Sequence, residues 1–219
     1  MSVIVRTPRE ALDLLRRETR WRHGPVPVAL DGQAVADGQR LTAGGRHLFR
    51  SDTGFGYFYE PGAGITVERP ADGDPDEEPL WLNGSVYTAV ACLNGFVPLH
   101  ASAVAQGGLV FAFTGPSGAG KSTLVTGLGK LGLPMFCDDT LMLDLSDPAR
   151  VMAMPGHKRL KLTTEALALT GATAQQPVGA GTGKSYAQPP AGDVAEPAPL
   201  HCLVFLEDGP SVQWLPRAG

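Results

Sequence analysis

Cysteine is scarce in this chain, and its cysteines lie far apart. Cys92, Cys137 and Cys202 are odd in number and form no C-x-x-C pair. A disulfide framework and a cysteine-ligated metal or redox site are therefore excluded, because both need paired or regularly spaced cysteines. Isolated thiols are typical of proteins that work in a reducing compartment, so we expect a cytoplasmic location.

An excess of basic charge and long apolar runs are also absent. The 18 basic and 22 acidic side chains give a formal charge of −4, which supplies no footprint for nucleic acid or an anionic membrane. No run reaches the roughly 18 apolar residues of a spanning helix, and the apolar start at Met1–Arg6 is too short for a signal peptide. We expect a globular protein that binds neither nucleic acid nor membrane.

The first 80 residues predict a small α+β unit. Thr7-Pro8-Arg9-Glu10 is a capping box with proline at the first helical position, so an amphipathic helix should begin there. Between Val26 and Arg69, short apolar runs alternate with Asp-Gly and Gly-Gly pairs, a pattern that predicts strands and turns. The acidic loop from Pro70 to Pro79 marks a boundary, which divides the chain into domains 1–80 and 81–219.

The strongest motif is the glycine-rich loop that begins at Gly115. It matches G-x-x-x-x-G-K-[ST] in full and lies between an apolar strand and a helix, where a phosphate-binding P-loop belongs. Lys121 should reach the β- and γ-phosphates of ATP, and Ser122 should offer its hydroxyl to Mg²⁺. The plain alternative is a tight strand-to-helix turn. The expected nucleotide-binding residues are Gly115, Pro116, Ser117, Gly118, Ala119, Gly120, Lys121, Ser122 and Thr123.

Two adjacent carboxylates follow the next apolar strand. Asp138 and Asp139 end the segment Leu133–Cys137, and ligands of open α/β sheets gather at the carboxyl ends of strands. One carboxylate can hold Mg²⁺ while the other accepts a proton from an attacking hydroxyl. The alternative is a turn with one capping aspartate.

His100 is placed near the loop by strand register. Val97–Ala105 and Leu109–Thr114 predict two strands of an antiparallel hairpin, and pairing outward from the turn Gln106-Gly107-Gly108 puts His100 opposite Thr114 or Gly115. A structural histidine is the alternative reading. An antiparallel neighbour beside the P-loop strand, and the lack of an N-K-x-D motif, argue against a GTPase.

The remaining segments predict an alternation of helices and strands. We expect helices at Leu80–Gly95, Lys121–Leu131 and Thr163–Leu169, and strands at Thr140–Leu145, Val151–Met154, Leu203–Leu206 and Val212–Leu215. The Gly-, Ala- and Pro-rich stretch Ala172–Pro199 predicts either a lid or a disordered loop.

Taken together, these motifs resemble the HPr kinase/phosphorylase catalytic domain. The resemblance rests on Leu99-His100-Ala101, the loop Gly115–Ser122, Phe136-Cys137-Asp138-Asp139 and Pro155-Gly156-His157-Lys158-Arg159-Leu160. It is nearest to the HPr-kinase-related proteins of bacterial peptide-biosynthesis clusters, including lasso-peptide precursor kinases. It implies an α/β P-loop kinase domain with a mixed sheet akin to phosphoenolpyruvate carboxykinase, preceded by the small α+β domain.

The resemblance also implies roles for particular residues. Asp138 is expected to be the general base, with His100 as its supporting partner. Ser122 and Asp139 are expected on the Mg²⁺ side, and Arg159 or Lys158 would stabilise the transferring phosphoryl group. The implied reaction is transfer from ATP to a serine hydroxyl of a protein or peptide, by an enzyme that is plausibly a homo-oligomer.

Two departures keep other functions open. The chain has no clear counterpart of the arginine- and glycine-rich signature of bifunctional HPr kinase/phosphorylases, which puts phosphorolysis in doubt. Related proteins continue past the position of Gly219, which leaves open whether this sequence is a fragment. The alternatives are a small-molecule kinase and a non-catalytic, nucleotide-gated module that binds a peptide.

Overall fold

The computed structural model describes residues 5–156, 160–178, 182–207 and 209, and it has a mixed α/β architecture. A π-helical segment, Leu82–Val86, joins the second helix to the third. None of the helices in these residues has both the length and the apolar character that crossing a membrane requires. The helices are α1 (Pro8–Glu18), α2 (Glu78–Trp81), α3 (Tyr87–Leu93), α4 (Lys121–Lys130) and α5 (Thr164–Thr170).

A five-stranded sheet forms most of the amino-terminal part. Its order is β1-β7-β6-β5-β4, antiparallel except that β1 runs parallel to β7, and β2 and β3 form a separate short ribbon. The strands and turns predicted for this part of the chain are confirmed. The strands are β1 (Trp21–His23), β2 (Ala29–Leu30), β3 (Gln33–Ala34), β4 (Arg40–Ala43), β5 (Arg46–Arg50), β6 (Gly56–Glu60) and β7 (Gly64–Glu68).

The carboxyl-terminal part contains a seven-stranded mixed sheet of order β11-β9-β10-β17-β13-β12-β8 and a three-stranded sheet of order β14-β16-β15. Its strands are β8 (Phe96–Leu99), β9 (Ala101–Gln106), β10 (Leu109–Thr114), β11 (Met135–Cys137), β12 (Leu141–Asp144), β13 (Met152–Met154), β14 (Leu160–Thr163), β15 (Ala174–Pro177), β16 (Lys184–Ala187) and β17 (Ala198–Phe205).

The seven-stranded sheet curls on itself. Only His100 separates β8 from β9, yet β8 is the last strand in the order and β9 is second from the other edge. The two edges must therefore approach each other. Small side chains are frequent in the enclosed core, where they pack with Phe136 and Leu141, because a strongly curved sheet leaves little room inside. Those that are buried in this core are Ala101, Ala103, Ala105, Ala112, Ala153 and Ala198.

The helices cover the outer face of this sheet. Val125 of α4 packs with Val104, Met135, Leu160 and Leu162. On the other side, α1 and α3 pack against a separate buried cluster that includes Met142, Met152 and Met154. The chain from α2 to α3 also packs against the amino-terminal sheet, with Leu82, Val86 and Val90 against Tyr57 and Val67. These helices therefore join the cores of the two sheets.

The predicted hairpin of β9 and β10 is confirmed. Gln106 pairs with Leu109 and Ala101 with Thr114, so the turn is the two residues Gly107 and Gly108, with φ of 59° and 77°. Two successive left-handed residues form the turn that matches the twist of paired strands, and glycine adopts them without strain. This register leaves His100 beside the start of the phosphate loop.

The hairpin also creates the mixed character of the sheet. β11 pairs antiparallel with β9 on the side away from β10. β10 and β11 therefore run parallel, α4 crosses between them, and β9 is inserted as an antiparallel strand. The predicted antiparallel neighbour of the P-loop strand is confirmed.

Several predicted elements differ from those in the structure. The single strand Val97–Ala105 is two strands that break at His100 and pair with different partners. The single helix Leu80–Gly95 is interrupted at Gly84, whose φ of −103° and ψ of −105° are not helical. The stretch Ala172–Pro199 contains β15 and β16, because its backbone pairs onto β14 despite its low apolar content. The strand predicted at Val212–Leu215 lies outside the described residues.

The tight interior of the curled sheet gives a stability prediction. Ala112 is fully buried and pairs with Ala103 across the hairpin, so Ala112→Leu should lower the free energy of unfolding by about 1–3 kcal/mol through overpacking. Urea unfolding measures the change, and Ala71→Leu in the exposed acidic loop is the matched control. Equal stability of the two variants would contradict the curled interior.

Candidate active site

The phosphate loop runs from the end of β10 to the start of α4, and its glycines are required by geometry. Gly118 and Gly120 have φ of 87° and 85°, in the left-handed region that favours glycine. Gly115 has a φ of 150°, and a Cβ there would lie 2.4 Å from the carbonyl oxygen of Leu206. The loop can therefore turn tightly between β10 and β17 only with glycine at position 115.

Lys121 is folded back over this loop. Its Nζ donates to the carbonyl oxygens of Gly115 and Pro116, each at 2.9 Å, and the residue is buried. Lys121 also begins α4, where the unpaired backbone N–H groups and the helix dipole favour an anion. A phosphate oxygen is a stronger acceptor for an ammonium than a carbonyl oxygen, so a bound phosphate can draw Lys121 from the loop.

Asp138 connects the P-loop helix to the hairpin. Its Oδ1 accepts hydrogen bonds from the Ser122 hydroxyl at 2.8 Å and from the Ser102 hydroxyl at 2.6 Å. Its Oδ2 accepts a longer bond, 3.2 Å, from the backbone N–H of Lys161. Three elements, α4, β9 and β14, therefore meet at one carboxylate.

Burial sets the protonation behaviour of Asp138. Desolvation raises the pKa of this carboxyl above its ordinary value of 3.8, and the nearby charge of Asp139 acts in the same direction. The hydrogen bonds from Ser102, Ser122 and the Lys161 backbone oppose the rise without cancelling it. Asp138 is therefore the more basic of the two adjacent carboxylates.

Asp139 lies in a contrasting environment. Its φ of 73° is in the left-handed region, which is uncommon outside glycine and turns its side chain into a half-exposed position. Oδ2 is 3.0 Å from Nζ of Lys161, and Oδ1 is 3.5 Å from Nδ1 of His100. Partial burial raises the pKa of Asp139, but the charge and hydrogen bond of Lys161, together with His100 and Lys184, outweigh burial and lower the pKa overall.

His100 is held by the backbone of this acidic pair. Its Nδ1 donates to the carbonyl oxygen of Asp139 at 2.9 Å, and because a carbonyl oxygen only accepts, Nδ1 must carry a proton. The described hydrogen bond and ion pair of the His100 side chain are with Asp139, whereas the sequence-based expectation made it the partner of Asp138. Arg159 and Lys158 lie outside the described residues.

These groups share one cleft of about 1060 Å³ between α4 and the β14–α5 segment. The predicted residues His100, Asp138 and Asp139 line it together with residues of the loop and of α4. Three other predicted loop residues, Gly115, Pro116 and Ala119, do not line it. The loop and helix residues in its wall are Ser117, Gly118, Gly120, Lys121, Ser122 and Thr123.

Among the cleft residues that sequence reasoning missed, Ser102 and Lys161 form hydrogen bonds with the two adjacent carboxylates. Strand alternation contained a signal for both. Ala101 and Ala103 face the interior of the curled sheet, so Ser102 must point to the α4 side. Leu160 and Leu162 are buried, so Lys161 between them must face the other way.

The donor set is compatible with Mg²⁺. The described residues contain no group of three or more His, Cys, Asp or Glu side chains arranged to hold a metal. Nucleotide-bound Mg²⁺ needs fewer, since it takes one or two protein oxygens and completes its coordination with phosphates and water. The Ser122 hydroxyl and the half-exposed Asp139 carboxylate are hard oxygen donors of this kind.

The opposite pKa shifts predict opposite pH dependences of stability. Compared with Asp138→Asn, the wild type should gain stability at low pH and lose it as the pH rises through the raised pKa of Asp138. Compared with Asp139→Asn, it should be more stable above pH 3.8 and lose that advantage as the pH falls through the lowered pKa of Asp139. Urea unfolding of the three proteins from about pH 3 to pH 7 tests both signs, and parallel curves would refute the assignments.

A scan against protein-family models found no match. A search of curated proteins found no relative. Among solved structures, the HPr(Ser) kinase/phosphatase from Coxiella burnetii aligns with 54% of this chain at 16% sequence identity and a TM-score of 0.37. The aligned part covers 64% of that structure, less than two thirds of its length, and a score this low does not establish a common fold.

Proposed function

We propose that this protein is a P-loop kinase that transfers the γ-phosphoryl group of ATP to a serine hydroxyl of a protein or peptide. The observation that carries the proposal is the contact between Ser122 of the P-loop helix and the buried carboxylate of Asp138. It supports a site where a phosphate cradle and a proton acceptor are adjacent. A loop that served only as a tight turn would not need a desolvated carboxylate at its mouth.

The two carboxylates suit different tasks because their environments shift their pKa values apart. Asp138, with the raised pKa, is the proposed proton acceptor. Among the described residues, its Oδ2 accepts one long hydrogen bond, from a backbone N–H, which a substrate hydroxyl can replace. Asp139, with the lowered pKa, stays ionised and suits the cation side of the site. His100 holds the Asp139 backbone in its left-handed conformation.

The proposed reaction is an in-line displacement at phosphorus. The acceptor hydroxyl oxygen forms a bond to the γ-phosphorus, the bond from that phosphorus to the β,γ-bridging oxygen breaks, and ADP leaves with the electron pair. The hydroxyl proton passes to Asp138. Lys121 binds the β- and γ-phosphates, and Mg²⁺, when bound on the side of Ser122 and Asp139, neutralises charge on the phosphates.

Lys161 is the proposed cation on the far side of the transferring group. It is anchored by its backbone bond to Asp138 and its side-chain bond to Asp139, so its ammonium lies in the cleft at a fixed place. A preorganised cation there would stabilise the charge that spreads over the equatorial oxygens. Sequence analysis gave this role to Arg159 or Lys158.

The proposal also includes the acceptor, the roles of the two parts of the chain and the oligomeric state. The sequence resemblance favours a peptide of a biosynthesis cluster, such as a lasso-peptide precursor, as the acceptor. In the same proposal, residues 1–80 form a substrate-side domain, residues 81–219 form the kinase domain, the stretch Ala172–Pro199 is a lid, and the enzyme acts as a homo-oligomer in the cytoplasm.

Asp138→Asn should reduce phosphoryl transfer by about 10²–10⁴-fold, because it removes the proton acceptor and leaves the loop intact. Labelled ATP with serine-containing peptides measures transfer, and calorimetry with ATP and Mg²⁺ measures affinity, which should stay within about threefold. Asp72→Asn in the exposed acidic loop is the matched control. Unchanged transfer in Asp138→Asn would indicate a different base, and no transfer by the wild type to any hydroxyl would favour the non-catalytic module.

Lys161→Gln should lower kcat by roughly 10–10³-fold with little change in ATP affinity, because it removes charge stabilisation that matters most in the transition state. Lys161→Arg keeps the charge and should recover part of kcat. The measurement is steady-state transfer at saturating ATP. If kcat for Lys161→Gln equals that of the wild type, Lys161 has no catalytic role.

A further inference from the structure

The active-site cleft extends well beyond the phosphate loop. It follows one side of α4 from Lys121 to the residue after the helix, Leu131, and its opposite wall is α5. Away from the catalytic groups the walls contain more apolar than polar residues. The residues of this distal half include Leu124, Gly127, Leu128, Lys130 and Leu131 on one side and Ala166, Leu169 and Thr170 on the other.

Two exposed leucines mark this distal half. Leu131 and Leu169 are each 77% exposed, and no other large apolar side chain in the described residues is more exposed. A single exposed leucine is ordinary on a protein surface. Two that line the cleft containing the catalytic groups add exposed apolar surface next to a site where a ligand binds.

The floor of the distal half is open. A Cβ placed on Gly127 would meet nothing within 4 Å, so space remains beside this part of α4. The whole cleft, at about 1060 Å³, is at the upper end of the usual range for ligand pockets, which is roughly 1,000 Å³. It therefore has space for ligand atoms beyond the phosphates at the loop.

We infer that the distal half binds an apolar side chain of the acceptor peptide, an inference that rests on the proposed kinase function. Leu131 is nine positions after Ser122, which corresponds to a rise of about 13.5 Å along α4. An extended peptide covers that distance in about four residues at roughly 3.3 Å each. The recognised side chain is therefore about four residues from the acceptor serine.

The charges of the cleft restrict the peptide further. Lys130, next to Leu131 in the sequence, lines the distal half, whereas Lys184 lies near enough to Asp139 to lower the pKa of that carboxyl. A basic side chain near the recognised leucine would be repelled, while neutral or acidic residues would be accepted. The inferred substrate class is an extended, uncharged or acidic peptide with a large apolar residue about four positions from its serine.

Peptide binding tests this directly. The probe is a fluorescent nonapeptide with serine in the centre, leucine at both ends and glutamine elsewhere, so that each leucine is four positions from the serine. In one matched peptide, glutamine replaces both leucines. A second matched peptide carries its leucines two positions from the serine. Anisotropy titrations with the wild type in ADP and Mg²⁺ should show about tenfold tighter binding of the first peptide than of both others.

Variants of the two leucines locate the effect. In the double variant Leu131→Ser, Leu169→Ser the preference for the leucine-ended peptide should fall to within about twofold. Leu145→Ser is the matched control, because Leu145 is also an exposed leucine, at 46%, and does not line the cleft. It should keep the wild-type preference.

The other outcomes overturn the inference, and transfer assays with ATP separate it from the proposed function. Equal binding of the peptides, or a preference that survives the double variant, shows that no side chain binds there. If the double variant loses only ADP affinity, the nucleobase occupies the distal half. If it loses only self-association, a second copy of the chain binds there.

Transfer assays with ATP test the proposed kinase function separately. Equal transfer to all three peptides would refute the inference about the distal half and leave the proposed kinase function standing. Selective peptide binding without transfer would refute the proposed kinase function.

Discussion

The buried carboxylate of Asp138, with serine hydroxyls on one of its oxygens, is the interaction on which the rest of the site depends. Ser102 comes from the antiparallel strand β9 and Ser122 from the first turn of α4, so the carboxylate fixes the P-loop helix against the hairpin. Each hydroxyl donates a hydrogen bond to the buried, ionised carboxylate, and such bonds are stronger than hydrogen bonds between two uncharged groups. The mixed sheet is what brings these two serines together.

The site is arranged at a cost in stability. Ionised Asp138 is desolvated, and Asp139 next to it adopts a left-handed conformation that a non-glycine residue rarely takes. Both features are retained because α4, β9 and β14 surround them and supply the hydrogen bonds that offset part of the cost. Such local destabilisation is typical of functional sites, where a group is held ready for a ligand.

Sequence analysis could predict much of this arrangement because several signals were local. The Gly-Gly turn fixed the register of the hairpin, and the register placed His100 beside the loop. The glycine spacing of the loop and the apolar strand before Asp138 needed no knowledge of distant contacts. For the same reason, the starts of α1 and α4 agree closely with the capping and P-loop motifs.

The parts that were not predicted depend on contacts between distant segments. The break at His100 arises because β8 pairs with β12 while β9 pairs with β10 and β11. Lys161 and Asp139 are 22 positions apart in the sequence, and their side chains meet only because β14 lies beside α4. In the Ala172–Pro199 stretch, β16 pairs with β14 and β15 pairs with β16, which composition alone does not show.

A crystal structure with a non-hydrolysable ATP analogue and Mg²⁺ tests the central claim most directly. The account predicts that the terminal phosphate lies between Nζ of Lys121 and the Asp138 carboxylate, within reach of a hydroxyl bound at Oδ2. Lys121 should then have left the carbonyl oxygens of Gly115 and Pro116. A nucleotide bound elsewhere, or a terminal phosphorus remote from Asp138, would contradict it.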